Sequence, residues 1–177
     1  MKLLRATVAS LILAGLALFL NPGAAQAAAG PMYMNYSSSL CIAVAGGSTA
    51  LNANIVQYTC DGNDRSLWDW VDSGISYNGT HFYFLKNRHS GWCISTAGGS
   101  TAIWAPMVQY HCDANYARLW VKQKFSGDIE GFFLVNVNSS FCLGVDNDST
   151  SLNARLVQAP CTLSFARDWE IWPGHLG

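Results

Sequence analysis

Residues 45–60 read AGGSTALNANIVQYTC, and residues 97–112 read AGGSTAIWAPMVQYHC. A third, diverged copy, DNDSTSLNARLVQAPC, occupies residues 146–161. A segment that recurs at a regular interval points to one structural unit used several times. The cysteines set the frame. Cys41 and Cys60, Cys93 and Cys112, and Cys142 and Cys161 are each 19 residues apart. Eight residues beyond each second cysteine stands Trp68, Trp120 or Trp169. Six before each first cysteine stands Asn35, Asn87 or Asn136, and three before it Ser38, Ser90 or Ser139. Ile42, Ile94 or Leu143 follows the first cysteine. Val56-Gln57, Val108-Gln109 or Val157-Gln158 precedes the second. Three units of about 50 residues therefore align without a gap, over residues 31–80, 81–130 and 131–177.

Within a unit the signals are for strands. HFYFLKN, WCIST, PMVQYHC and RLWVKQKF are short, rich in β-branched and aromatic residues, and bounded by turn residues. NYSSS, RHSGW and NSSF read as tight turns, and the Asn-Gly of YNGT is a strong hairpin signal. Four strands per unit predict about twelve strands and no helix. A linear array of three short units would leave sheet edges exposed, so a closed pseudo-threefold arrangement is expected. Each unit is expected to give the shared core one Trp, one Val and one Ile or Leu. Each cysteine pair is expected to clip the second strand of its unit to the third.

Residues 1–27 do not read as part of this fold. Lys2 and Arg5 precede the apolar stretch TVASLILAGLALFL, and NPGAAQA ends it with small residues. That order is expected of a secretory signal peptide. The stretch is short for a membrane span, which needs about 20 residues. Residues 28–177 then form one domain. They carry 8 Lys and Arg against 11 Asp and Glu, so there is no polybasic surface for nucleic acid or anionic lipid. Six cysteines in an exported chain read as three disulfides and an extracellular location. No Cys-x-x-Cys occurs, and His81, His89, His111 and His175 have no partner at a metal-ligand spacing, so no metal or cofactor is expected.

The repeated pattern of Ser-x-x-Cys-Ile/Leu, Gly-Gly-Ser-Thr-Ala, Val-Gln-Tyr-x-Cys and Trp, complete in the first two units and diverged in the third, resembles the ricin B-type β-trefoil lectins, including the trefoil carbohydrate-binding modules of secreted bacterial proteins. The resemblance covers residues 28–177. It implies an all-β fold, a β-trefoil of three four-stranded repeats, and carbohydrate binding without catalysis. It also implies where sugar would bind. A working repeat of that family has an acid two residues after its first cysteine, an aromatic two before its second, and Asn-Gln-x-Trp at its end. Here the acid is replaced by Ala43, Ser95 and Gly144. The terminal motifs are RSLW, ARLW and ARDW. The aromatic survives as Tyr58 and Tyr110 but is Ala159 in the third repeat.

A sugar presents C–H groups on one face and hydroxyls at its edge. A ring supplies the platform, and carboxylates and amides bind the hydroxyls. Repeats one and two keep the ring, and each carries a relocated acid and an amide just past its second cysteine. Tyr58, Asp61 and Asn63 are expected to form one shallow site, and Tyr110, Asp113 and Asn115 a second. Trp104 stands where the sister repeats have Asn52 and Asn153, and is expected to extend the second site. The third repeat, with Ala159, is expected to have none. The resemblance therefore implies a secreted lectin binding a glycan or polysaccharide weakly. The alternative is a trefoil that has lost sugar binding and serves as a protein-interaction or protease-inhibitor module.

The Gly-Gly-Ser-Thr-Ala segments resemble a nucleophile elbow only superficially. That motif needs a strand entering a helix, whereas strands are expected on both sides here. Ser and Thr kept in every copy fit a turn whose hydroxyls bond nearby backbone. His111 is expected to point away from Tyr110 if both lie on a strand. Asp146 and Asp148 in the third repeat read as turn residues, the alternative being an acidic replacement for the missing acid.

Overall fold

The computed structural model describes residues 30–124, 131–162 and 164–172. The expected signal peptide and most of the FSGDIEG segment lie outside the described residues. The first repeat holds β1 (Met32–Asn35), β2 (Cys41–Val44), β3 (Ile55–Tyr58) and β4 (Trp68–Tyr77). The second holds β5 (Thr80–Asn87), β6 (Cys93–Thr96), β7 (Met107–Tyr110) and β8 (Trp120–Lys124). The third holds β9 (Phe132–Asn136), β10 (Cys142–Val145), β11 (Leu156–Ala159) and β12 (Trp169–Trp172). Between the strands of the described residues run single turns of 3-10 helix and no α-helix.

Six strands follow one another round a ring through antiparallel pairs: β1 with β12, β12 with β9, β9 with β8, β8 with β5, and β5 with β4. The ring is joined between β4 and β1 by the Trp68 N–H, which donates to the Pro31 carbonyl at 3.0 Å. The remaining strands form three hairpins, β2–β3, β6–β7 and β10–β11. These meet one another through the bridges Asn54↔Val108, Val56↔Arg155 and Pro106↔Val157. A six-stranded ring with three hairpins across one end is the β-trefoil. The Asn78-Gly79 turn joins β4 to β5 with both residues at positive φ, 49° and 78°, as a type I′ hairpin turn requires.

The repeated residues divide the labour. Trp68, Trp120 and Trp169 are fully buried, and their indole N–H groups donate to the carbonyls of Ile42, Ile94 and Leu143 at 2.9, 3.1 and 3.0 Å. Ile42, Ile94 and Leu143 join them in the core, with Ile55, Met107 and Leu156 from the facing strands. The valines do not. Val56, Val108 and Val157 are buried but lie outside this cluster, because side chains alternate along a strand and the preceding residue takes the inward face.

The glutamines lock the repeats together in a cycle. Gln57 of repeat one donates to the Ser149 and Ser151 carbonyls of repeat three, each at 2.8 Å. Gln109 of repeat two donates to Ser48 and Ala50 of repeat one, at 2.9 and 2.7 Å. Gln158 of repeat three donates to Ser100 and Ala102 of repeat two, at 3.0 and 2.6 Å. Each glutamine also accepts, through Oε1, the hydroxyl of Ser38, Ser90 or Ser139 in its own repeat at 2.7 Å. The Gly-Gly-Ser-Thr-Ala turn is thus a socket for the next repeat. Its serine holds it in shape by accepting the N–H two residues on, in all three copies. The repeated asparagines do a similar task at the other end. Asn87 donates to the Arg65 and Leu67 carbonyls, Asn136 to those of Ala117 and Leu119, and Asn35 to that of Asp168.

Disulfides join Cys41 to Cys60, Cys93 to Cys112, and Cys142 to Cys161, each with Cα atoms 5.1 Å apart. They tie the start of β2, β6 and β10 to the chain just past β3, β7 and β11, as the spacing predicts.

Candidate functional site

In each hairpin, strand alternation sorts side chains into two faces. Ile42 pairs with Gln57 on the inner face, and Cys41 with Tyr58 and Ala43 with Val56 on the outer. The same register sets Cys93 opposite Tyr110 and Ser95 opposite Val108. The outer face of the first two hairpins therefore gathers Ala43 or Ser95, the valine and the tyrosine. The 3-10 turn before each tryptophan folds over this face: Asp64–Ser66 in repeat one and Tyr116–Arg118 in repeat two.

In repeat one the turn delivers Arg65. Its guanidinium carbon lies 4.3 Å from the centre of the half-buried Tyr58 ring, and its Nη2 bonds the Asp61 carboxylate. Asp61 Oδ1 also accepts the Asn63 N–H at 3.1 Å. Burial pushes the Asp61 carboxyl up, but the bonds from Asn63 and Arg65 outweigh it and hold the carboxyl below its ordinary range. Arg65 and Asn63 line a cleft of about 430 Å³ with Gly47, Asp64 and His89.

Repeat two repeats the arrangement. The Arg118 guanidinium lies 4.6 Å from the Tyr110 ring centre, and its Nη1 donates to Asp113 Oδ1 at 2.8 Å. Asp113 accepts the Asn115 N–H at 3.1 Å, and Asn115 Oδ1 accepts the Ala117 N–H at 2.9 Å, capping the turn. Tyr110, Asn115 and Arg118 line a cleft of about 320 Å³, with Asn52 and Val108 on its wall. Each of the two groups thus places an aromatic ring, a guanidinium and a carboxylate within a few ångströms. Donors and acceptors sit side by side over an apolar ring, which is what binding two neighbouring hydroxyls needs.

The expected trios Tyr58, Asp61, Asn63 and Tyr110, Asp113, Asn115 are brought together. Sequence reasoning did not assign a role to Arg65, Arg118 or Arg167. Their signal was the arginine two or three residues before each repeating tryptophan, where the family pattern has an amide. Two expectations are corrected. Trp104 does not extend the second site: its ring faces Arg167 of the third repeat, at 5.9 Å from the guanidinium carbon. The reason is the cyclic lock, in which each turn leans on the following repeat. His111 does not point away from Tyr110. It lies beyond the end of β7, where alternation no longer holds, and the two rings meet edge to face at 5.0 Å. Trp92 is half-buried, with its indole N–H donating to the Thr49 carbonyl at 2.9 Å. Among the described residues no group of three metal-ligating side chains comes together. No described helix is long and apolar enough to cross a membrane.

A family model for ricin-type beta-trefoil lectin domain-like chains matches residues 33–110 and 75–159. Among solved structures, the designed threefold-symmetric protein ThreeFoil is 27% identical, with a TM-score of 0.72 over 80% of this chain and 96% of that one. The exo-beta-1,3-galactanase 1,3Gal43A from Clostridium thermocellum is 20% identical with a TM-score of 0.72, over 80% of this chain and 29% of the galactanase chain. The Rhizoctonia solani agglutinin is 17% identical with a TM-score of 0.66, over 81% of this chain and 94% of that one. Among the curated proteins none matches the sequence.

Proposed function

The chain belongs to the ricin-type beta-trefoil lectin domain-like family, and on that premise we propose that it is a secreted, non-catalytic protein that binds glycans weakly through repeats one and two. One observation carries the reading. Tyr58 with Arg65 and Asp61, and Tyr110 with Arg118 and Asp113, repeat the same three chemical parts, with Arg65 lining the first cleft and Tyr110 and Arg118 the second. The lost acid of the family pattern is made up by Asp61 and Asp113 from the loop past the cysteine. Three formed disulfides suit an oxidising, extracellular setting. Two shallow sites on one chain suit a polymer or a dense glycan surface, where avidity compensates for weak single sites.

Affinity electrophoresis through gels cast with soluble β-glucan, xylan, galactan or arabinogalactan tests this. The protein is expected to be retarded by at least one, and Tyr58→Ala with Tyr110→Ala to lose most of that retardation at an unchanged melting temperature. A protein retarded by none, and silent on a glycan array, would sink the proposal. It would favour the competing reading, a trefoil that docks a protein partner. The guanidinium lying over one face of each tyrosine ring is what favours that competitor.

A further inference from the structure

We propose that the third repeat also carries a saccharide-binding site, a composite one whose aromatic platform is Trp104 of the second repeat. The proposal rests on the reading that an aromatic–guanidinium–carboxylate group binds sugar in repeats one and two.

The third repeat has lost its own ring: Ala159 stands where the others have Tyr58 and Tyr110, and it is buried. Gly144 stands where they have Ala43 and Ser95. The space so opened is taken by Arg167, whose side chain is only 8% exposed. A Cβ on Gly144 would sit 3.0 Å from its Cγ. Arg167 is more buried than Arg65, and its guanidinium faces Trp104 at 5.9 Å and the Asp148 carboxylate at 3.5 Å. The same three chemical parts are therefore present a third time, with the ring supplied from a neighbour. Arg167 Nε is buried with no hydrogen-bond partner among the described residues, as are Arg65 Nε and Arg118 Nε, so the three guanidinium groups share that feature.

Trp104 is an unlikely residue for its place on structural grounds alone. It holds φ at 65°, and the equivalent Asn52 and Asn153 each hold 63°. Asparagine tolerates that left-handed conformation, while a large aromatic pays steric strain there. The residue is 46% exposed, so burial does not offset the strain. A strained, exposed aromatic points to a role outside folding. The symmetry says which site it serves. Asn52 of repeat one lies on the wall of the repeat-two cleft, and its N–H donates to Gln109 of repeat two. The Trp104 N–H donates in the same way to the Gln158 carbonyl of repeat three, at 2.8 Å. Trp104 thus stands on the wall of the repeat-three site. A hexopyranose unit of a polysaccharide fits the group, with its C–H face on the indole and its edge hydroxyls on Arg167 and Asp148.

The test uses the full chain and the same polysaccharide gels. Trp104→Asn restores the residue its sister turns carry, so folding is expected to be unharmed and the melting temperature no lower. In the Tyr58→Ala, Tyr110→Ala background a residual retardation is expected, and adding Trp104→Asn removes it. In the otherwise unchanged chain, Trp104→Asn is expected to weaken retention about tenfold, as loss of one of three linked sites does. Residual retardation that survives Trp104→Asn overturns the composite site and leaves the first two standing, as does a double tyrosine variant with no residual retardation. Full retention without the tyrosines that is abolished by Trp104→Asn supports the composite site and overturns the other two. A chain retarded by no polysaccharide overturns both proposals.

Discussion

The side-chain amide of Gln57 in the first repeat holds the backbone of the third, donating to the carbonyls of Ser149 and Ser151 at 2.8 Å each. With Gln109 and Gln158 it makes the trefoil a cycle in which no repeat is complete without the next. Gln57→Met keeps the volume but removes both donors, and with Oε1 the acceptor of the Ser38 hydroxyl. A loss of about 3 kcal/mol in folding stability is expected from such unmet bonds. Urea denaturation at neutral pH measures it, and a loss under about 1 kcal/mol would show the cycle to be incidental.

Arg118 is either a ligand group or a cover over Tyr110. In a Tyr58→Ala background, Arg118→Met is expected to weaken polysaccharide retention about tenfold, the worth of one charge-assisted hydrogen bond. Stronger retention in that variant would mean that the guanidinium only blocks the ring.

Asp168 is buried, with Oδ1 lacking a hydrogen-bond partner among the described residues. Burial, with Glu170 nearby, pushes its carboxyl up to about 6 from an ordinary 3.8. Between those values the folded chain holds a proton that the unfolded chain has released. Its contribution to stability is therefore full below about pH 3.8 and lost as pH rises through about 6. Asp168→Asn is expected to melt at a higher temperature than the parent at pH 7.5 and at nearly the same temperature at pH 4. Parallel melting curves across that range would contradict the assignment.

Lys122 should show the opposite slope. Its ammonium lies 4.4 Å from the Trp70 ring centre and 5.0 Å from that of Tyr33, and it donates to the Tyr33 hydroxyl at 3.2 Å. Burial lowers its pKa to about 8 from 10.5. Between pH 8 and 10.5 the unfolded chain binds the extra proton, so stability from this group rises with pH across that window. Lys122→Met is expected to flatten that rise, which thermal melts at pH 7 to 10 would reveal.

The repeat, the strands and the disulfides were legible because each depends on local spacing that survives in all three copies. Asn, Ser, Gln and Trp recur at fixed offsets since each makes the same bond three times over. The sites were harder to read. Arg65 stands three residues before its tryptophan and bonds an acid four residues back. Arg118 stands two before its tryptophan and bonds an acid five residues back. No fixed offset links the arginine to the other parts. In the third repeat the carboxylate comes from the turn after β10 and the ring from another repeat altogether. A side-chain contact made only once between repeats leaves no periodic trace, so Trp104 could be singled out but not placed. The valines were misjudged for a simpler reason, since being repeated and apolar does not say which face of a strand is the core.

Tyr58 and Gln57 are neighbours in the chain yet face opposite ways, and the same holds for Tyr110 and Gln109. One strand thus carries two independent scripts in alternate letters. Inward letters specify how the three copies join, and outward letters specify what the surface meets. The third copy has rewritten its outward letters to glycine and alanine while keeping Leu143 and Gln158 inside. A lineage built this way can exchange one ligand for another, or a sugar for a protein, one repeat at a time and without first becoming unstable.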